Sequence, residues 1–128
     1  MLPPGWEMWL DGAHNDSGGE VLGAQAALWH DRPLDLVFGV RAEKNAADVL
    51  RPLAPHVARL RTVVIPGDPA SAPPSEAAAA ARMASIADSH PATSLTQALG
   101  SLLDVSGPRR VLICGSLYLA GAVLAENG

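Results

Sequence analysis

The chain has 128 residues, about the length of one domain. Apolar residues make up 48% of it and charged residues 17%, which is too apolar and too weakly charged for a disordered chain. Nine basic residues against thirteen acidic ones leave a formal net charge of −4. The basic residues are scattered along the chain and form no basic cluster in the sequence, so the sequence does not predict binding to nucleic acid.

The sequence also argues against a membrane or secreted location. The longest nearly continuous apolar stretch, residues 111–125, is shorter than the roughly 18 residues that a membrane span requires. The first residues lack the basic and apolar segments of a secretory signal. One cysteine, Cys114, cannot form an internal disulfide, which fits a reducing compartment. We therefore expect a cytoplasmic protein.

The first predicted unit is a strand at residues 6–10 followed by a helix at about residues 18–30. A polar turn separates the two, and Ser17 and Glu20 have the spacing of a capping box. Four large apolar residues then recur at helical spacing, namely Val21, Leu22, Leu28 and Trp29.

The second unit begins with a strand at residues 34–40, which are rich in apolar and β-branched types. Asn45 is a candidate N-cap for the helix that follows. Pro52 and Pro55 are expected to end that helix, since proline cannot continue the helical hydrogen-bond ladder.

A third strand is predicted at residues 60–65. The sequence PGDP at residues 66–69 closes it, because such a cluster cannot continue a ladder and forces a turn. The alanine-rich residues 74–87 have high helix propensity. We expect Met83 and Ile86 on one side of that helix.

The last units are predicted from a second capping-box spacing and a final apolar strand. Ser94 and Gln97 have the capping-box spacing at the start of a leucine-rich helix. Residues 110–114 form the strand, which runs into an apolar helix over about residues 115–125. Residues 91–93 are too short and too broken by proline for a strand to be predicted there.

Strands that alternate with helices favour parallel pairing through right-handed crossovers. The predicted fold class is therefore α/β, with a mostly parallel, Rossmann-like sheet covered on both faces in three α/β/α layers. In such a sheet the loops at the carboxyl ends of the strands share one edge, where ligands usually bind. That ligand edge gathers residues 11–15, 41–45, 66–68 and 115–116.

The loop at residues 11–15 has the richest chemistry. Asp11 can accept hydrogen bonds from ribose hydroxyls, and His14 can donate one to a phosphate or a carboxylate. The alternative is an Asx-type turn, in which Asp11 and Asn15 only satisfy backbone groups.

Two further residues are candidates for anion binding. Ser116 follows Gly115 at the start of a predicted helix, where N–H groups and a hydroxyl meet at the positive end of the dipole. On local sequence alone, the favoured alternative is an ordinary N-cap. Lys44 could neutralise a phosphate or be a solvated surface lysine.

Several stronger signals are absent from the sequence. It has no G-x-x-x-x-G-K-[ST] phosphate loop, and Ser116 does not lie in G-x-S-x-G. The four histidines lack the spacing of metal ligands, so no metal site is predicted. Cys114 lies in an apolar strand without a neighbouring histidine, which predicts a buried structural thiol.

Two motifs carry a family resemblance. WLDGAHN at residues 9–15 and VLICGSLYLAG at residues 111–121 closely resemble the C-terminal domain of bacterial bifunctional folylpolyglutamate synthase/dihydrofolate synthase, one of the Mur-ligase-like ATP-dependent amide ligases. The similarity spans nearly the whole chain, since VIPG at residues 64–67 also fits. It implies that residues 1–128 form one C-terminal domain of the Mur-ligase type. A separate N-terminal domain would supply the phosphate loop and most of the binding of ATP and magnesium.

The resemblance also implies a reaction and roles for individual residues. In this family the carboxylate of folate or dihydropteroate is activated as an acyl phosphate, which the amino group of L-glutamate attacks. Asp11 and Asn15 would contact the nucleotide. His14 would be the catalytic residue near the phosphates and the glutamate, and Ser116 would help to hold the glutamate.

The chain departs from the family pattern at two positions. Family members commonly have a proline after the asparagine of the first loop and a Lys-Asp pair after the second strand, where this chain has Asp16 and Asn45. The role of Lys44 is therefore open.

The alternative interpretation of the whole chain is a stand-alone α/β ligand-binding or interaction module without catalysis. Whether the full enzyme makes dihydrofolate, extends polyglutamate or does both depends on the pterin pocket, which lies in the other domain.

Overall fold

The structure, a computed structural model, describes residues 6–10, 23–29, 31–103 and 108–114. The predicted start of the first helix and the predicted helix after the last strand lie outside these ranges.

Five strands form one sheet in the order β1-β5-β2-β3-β4. The strands are β1 Glu7–Leu10, β2 Leu34–Phe38, β3 Val57–Thr62, β4 Ser89–Pro91 and β5 Arg110–Cys114. Each neighbouring pair in this sheet is parallel. The predicted α/β class and the parallel sheet are confirmed.

The helices connect successive strands. They are α1 at residues 23–27, α2 Ala46–Leu50, α3 Pro74–Met83 and α4 Leu95–Leu102, with a short 3-10 helix at Ala54–His56. Two predicted caps are confirmed. The Asn45 side chain accepts a hydrogen bond from the Asp48 N–H at 3.2 Å, and the Ser94 hydroxyl accepts one from the Gln97 N–H at 3.0 Å.

Apolar side chains pack on both faces of the sheet. On β2, Leu36 and Phe38 join a cluster that includes residues of α2 and α3, whereas Val37 joins a second cluster with residues of α4. On β5, Leu112 belongs to the first cluster and Ile113 to the second. This alternation buries the central strands on both sides, as the three-layer prediction requires.

A buried ion cluster ties the amino end of the sheet together. Asp35 on β2 is fully buried and binds two guanidinium groups, with Arg59 Nη2 at 2.8 Å and Arg109 Nε at 2.7 Å. Arg59 also donates to the Leu102 carbonyl at the end of α4. Because a buried carboxylate is tolerated only when it is paired and hydrogen-bonded, this cluster fixes β2, β3 and α4 relative to one another.

The prediction for β3 was wrong by three residues. The strand is Val57–Thr62 and not residues 60–65. It contains Arg59 and Arg61, which interrupt the apolar pattern used to predict strands. Both arginines are paired across the fold, Arg61 with Asp88 at 3.0 Å, so the charges are accommodated within the strand.

The end of α3 was also predicted wrongly. The helix ends at Met83 and not at residue 87. Ser85 has a positive φ of 80°, the Ser85 N–H binds the Arg82 carbonyl, and the Ile86 N–H binds the Ala81 carbonyl. These bonds form a Schellman motif. The chain turns there, so Met83 is 78% exposed while Ile86 is buried, and the two do not share a helix face.

Three smaller differences concern the ends of elements. Helix α1 ends at residue 27 rather than 30, and β2 ends at Phe38 rather than at residue 40. The short edge strand β4 was not predicted. Its last residue, Pro91, is tolerated because an edge strand has one side without a ladder partner.

Candidate functional site

The carboxyl ends of the strands meet at one edge, as predicted. Phe38, the last residue of β2, is in register with Cys114 on β5 and with Thr62 on β3. The Gly39 N–H binds the Cys114 carbonyl at 3.2 Å, which extends the ladder just beyond the strands. On β1, Leu10 is in register with Ile113. The segments that follow these strands therefore all leave from the ligand edge.

The four residues to which the sequence assigns nucleotide, catalytic and glutamate roles lie outside the described residues. They are Asp11, His14, Asn15 and Ser116. Asp11 directly follows the last residue of β1, and Ser116 follows the last residue of β5 by two positions. Because β1 and β5 are neighbours, the chain enters both segments from adjacent positions of the ligand edge. The roles of these residues stay predictions.

Two loops of the ligand edge are held together by backbone hydrogen bonds. The Ala72 N–H binds the Val40 carbonyl and the Ala42 N–H binds the Ala70 carbonyl, both at 2.7 Å. The second of these loops is shaped in turn by Asp68, whose Oδ1 accepts a hydrogen bond from the Ala70 N–H at 2.9 Å. The loops after β2 and β3 therefore form one connected layer.

A cavity of about 300 Å³ lies between these loops, lined by Arg41, Pro66, Gly67 and Asp68. The Arg41 Nε atom lies 3.6 Å from Asp68 Oδ2 and 3.3 Å from Glu43 Oε1. The predicted edge segments 41–45 and 66–68 are thus brought together. Both segments were predicted to lie at the edge, but only Lys44 was predicted to bind a ligand there, and Arg41 and Asp68 were not. The sequence did contain one signal for Arg41, since a charged residue directly after a predicted buried strand is a candidate for ligand binding.

Lys44 lies in the same loop as Arg41. Its N–H binds the Arg41 carbonyl at 3.0 Å, which closes a turn just before the Asn45 cap of α2. The Lys44 side chain is half-buried. This geometry places Lys44 at the ligand edge, and no described residue pairs with its side chain.

A second charged cluster lies around the amino end of β5. Hydrogen bonds from the Trp9 indole and from Arg110 hold the pKa of Glu7 below its usual value. A hydrogen bond from Arg110 likewise lowers the pKa of Asp31. The Arg110 guanidinium also lies 4.7 Å from the ring centre of Trp29, a cation–π distance. Both carboxylates are ionised at neutral pH, and the cluster joins β1 and β5 to the segment before β2.

Other kinds of site find no support in the described part of the chain. Those residues contain no group of three or more His, Cys, Asp or Glu side chains that could hold a metal ion. Cys114 is buried, as predicted. Among the helices that the structure describes, none is long and apolar enough to cross a membrane.

Comparison with known proteins gives a family match over almost the whole chain. The family model described as "Dihydrofolate synthetase, C-terminal domain" matches residues 4–126. No curated protein matches the chain.

Solved structures resemble the chain over most of its length. A Mycobacterium tuberculosis folylpolyglutamate synthase, complexed with ADP and AMPPCP, is 25% identical with a TM-score of 0.81, over 94% of this chain and 29% of that one. The Thermotoga maritima folylpolyglutamate synthase is 26% identical with a TM-score of 0.78, over 98% of this chain and 28% of that one. Escherichia coli FolC, in complex with DHPP and ADP, is 22% identical with a TM-score of 0.73 over 91% and 27%, which shows the fold alone. The chain thus spans less than a third of the length of each of these proteins.

Proposed function

The chain belongs to the family of dihydrofolate synthetase C-terminal domains, and from this membership we propose that it is the C-terminal part of an ATP-dependent ligase that joins L-glutamate to dihydropteroate or folate. The observation that carries the proposal is the family match over residues 4–126. The family membership confirms the resemblance predicted from the motifs at residues 9–15 and 111–121.

A solved relative supports the proposed nucleotide substrate. The Mycobacterium tuberculosis protein was solved with ADP and AMPPCP. For the protein that holds this chain we propose ATP, L-glutamate and folate or dihydropteroate as substrates. We propose that magnesium is bound mainly by its N-terminal domain, because the chain has no phosphate loop of its own.

The proposed reaction forms one amide bond and consumes one ATP. A carboxylate oxygen of the folate substrate attacks the γ-phosphorus, ADP leaves, and an acyl phosphate results. The amino group of L-glutamate then attacks the acyl carbon, and inorganic phosphate leaves as the amide forms. Catalysis of this kind depends on positioning the reactants and on stabilising the developing charge on the phosphoryl and carbonyl oxygens.

We propose that this chain contributes nucleotide-binding and glutamate-binding residues to the active site from its ligand edge. Asp11 and Asn15 contact the nucleotide, and His14 lies near the phosphates and the incoming glutamate. Ser116 holds a glutamate carboxylate. What supports this assignment is the parallel register that brings the ends of β1 and β5 side by side, together with the family motifs that begin in those two strands and continue beyond them.

The first test uses Asp11→Ala and His14→Ala in the full-length enzyme. Asp11→Ala should mainly raise the KM for ATP, because its contact is made in both the ground state and the transition state. His14→Ala should mainly lower kcat, because it lies beside charge that develops during the reaction.

The control is His90→Ala, which removes an exposed imidazole on the edge strand β4. It should leave all kinetic constants unchanged. If Asp11→Ala and His14→Ala both keep wild-type kinetics and change only the melting temperature, the loop is a structural turn and the proposed roles are wrong.

A further inference from the structure

The cavity at the ligand edge has the size of a site for a small molecule. Its volume of about 300 Å³ is at the lower end of the range for ligand pockets. A space of this volume can hold the head group of a compact metabolite. Gly67, which lines the cavity, has a positive φ of 76° and has no atom of another residue near the position of a Cβ.

Arg41 brings unused hydrogen-bond donors to this cavity. Its closest approaches to Glu43 and Asp68 are long, at 3.3 and 3.6 Å, and both are made by Nε. The guanidinium group donates no hydrogen bond to another residue that the structure describes, although it has five N–H donors. Its planar fork matches a carboxylate in a bidentate arrangement.

Asp68 brings a carboxylate that is only partly used. Its side chain is 12% exposed. Oδ1 accepts the Ala70 N–H, whereas Oδ2 accepts no hydrogen bond within the described part of the chain. An ionised carboxylate has about four acceptor positions, so Asp68 can accept hydrogen bonds from an ammonium group in the cavity.

We propose that this cavity binds the zwitterionic head of an α-amino acid, with the carboxylate on Arg41 and the ammonium group on Asp68. A simple anion would meet the carboxylates of Asp68 and Glu43, and a simple cation would meet Arg41. A zwitterion satisfies both charges of the lining. The inference rests on the proposed function for the identity of the amino acid, which is L-glutamate.

The assignment is compatible with the proposed reaction. An ammonium group that loses one proton keeps two N–H bonds, so the amine can still donate to Asp68 while its lone pair faces an acyl carbon. The side-chain carboxylate of the glutamate is left to residues outside this cavity.

Equilibrium dialysis of radiolabelled L-glutamate against the full-length protein tests the proposal, with AMPPNP and folate present. Arg41→Gln and Asp68→Asn should each weaken binding about tenfold or more, since each removes a hydrogen bond between charged groups. Asn at position 68 keeps the oxygen that accepts the Ala70 N–H. Arg51→Gln and Asp48→Asn, which change an exposed ion pair on and beside α2, are matched controls and should not change the Kd.

Two analogues assign each end of the ligand. Glutarate lacks the amino group, so Asp68→Asn should not weaken its binding further. 4-Aminobutyrate lacks the α-carboxylate, so Arg41→Gln should not weaken its binding further. The proposal is overturned if the wild type binds no L-glutamate, if the two variants bind it as the wild type does, or if each variant weakens all three ligands equally.

Because the measurement is binding, it separates this inference from the proposed function. Wild-type glutamate binding with the expected losses in the variants, but without ATP-dependent ligation to any folate, would sink the proposed function and support the amino-acid site. Normal ligation with an unchanged Kd in both variants would do the reverse.

Discussion

Asp35 and Asp68 are both largely buried aspartates paired with arginine, yet their hydrogen bonding differs. Asp35 is contacted by Arg59 and Arg109 at 2.7 to 3.2 Å through both of its oxygens. Asp68 has one arginine at 3.6 Å and one backbone donor. A carboxylate saturated by protein donors fixes the fold, whereas one with open acceptor positions in a cavity is available to a ligand. This contrast separates the structural amino end of the sheet from its ligand edge.

The role of Ser116, which is predicted to start a helix, can be measured against the known cap Ser94. Ser94 caps α4, so Ser94→Ala should cost about 0.5 to 2 kcal/mol in the free energy of unfolding and Ser94→Gly a few tenths. Neither change should alter the KM for glutamate.

If Ser116 holds a glutamate carboxylate, Ser116→Ala and Ser116→Gly should both raise the KM for glutamate about tenfold or more, with little effect on the KM for ATP. The readout is steady-state kinetics of the full-length enzyme at saturating ATP and folate. A Ser116→Gly enzyme with an unchanged KM for glutamate would leave Ser116 as a cap of the same kind as Ser94.

Sequence reasoning worked at the residue scale where the determinants are local. The Asn45 and Ser94 caps depend on bonds to residues three positions away, and such spacings are visible in the chain. The pairing of Asp35 with Arg109, 74 positions away, leaves no local signal. Arg41 and Asp68 were missed for the same reason, since their proximity follows from the parallel register of β2 and β3.

At the scale of the elements, errors occurred where specific hydrogen bonds or ion pairs override residue propensity. Helix α3 is rich in alanine, a strong helix former, and alanine also follows its last residue. The helix nevertheless ends there, because Ser85 adopts a left-handed conformation for which glycine is the usual signal. Strand β3 starts three residues before its predicted start. The strand can include Arg59 and Arg61 because both form ion pairs with carboxylates outside β3. Strands β1 and β5 were predicted well because they read as compact apolar runs bounded by turn residues.

The contact between α1 and the segment after α2 depends on the absence of a side chain at position 23. A Cβ on Gly23 would lie 2.7 Å from the Pro52 carbonyl oxygen and 2.9 Å from the Pro52 Cβ. Gly23→Ala should therefore lower the free energy of unfolding by about 1 to 3 kcal/mol, the usual cost of overpacking. Urea denaturation followed by circular dichroism measures this loss.

Gly100 provides the matched control because it also lies in a helix. A Cβ at Gly100 in α4 meets no atom within 4 Å. Gly100→Ala should raise the free energy of unfolding by up to about 1 kcal/mol, since alanine is the better helix former. Equal and stabilising effects of the two substitutions would show that the α1 contact is not close.

At the scale of the whole molecule, strands alternating with helices were enough to predict a parallel sheet, since that pattern has few topological solutions. The strand order was not predicted. It puts β1 beside β5, from the two ends of the chain, and so pairs the strand residues with which the two family motifs begin. Each motif alone is only weakly specific for the family. The strand order makes the starting residues of the two motifs neighbours in the sheet.

The same topology predicts what the isolated chain can and cannot do. A sheet with an apolar cluster on each face should unfold in a single cooperative transition, as small single domains do. The ligand edge, however, supplies one wall of the proposed active site, and the phosphate loop and metal ligands are expected from the N-terminal domain. Ligation should require closure of the two domains over the substrates.

The isolated chain should therefore fold, hydrolyse no ATP and ligate no glutamate, while the full-length enzyme does both under the same conditions. Thermal unfolding by circular dichroism and calorimetry reports the first property, and folate-dependent release of inorganic phosphate reports the second. The full-length enzyme with Asp11→Ala, tested in parallel, sets the level of a damaged but complete site. Folate-dependent phosphate release from the purified isolated chain, above that of a mock preparation free of ligase, would show that this chain alone contains a complete active site and would contradict the division of labour between the two domains.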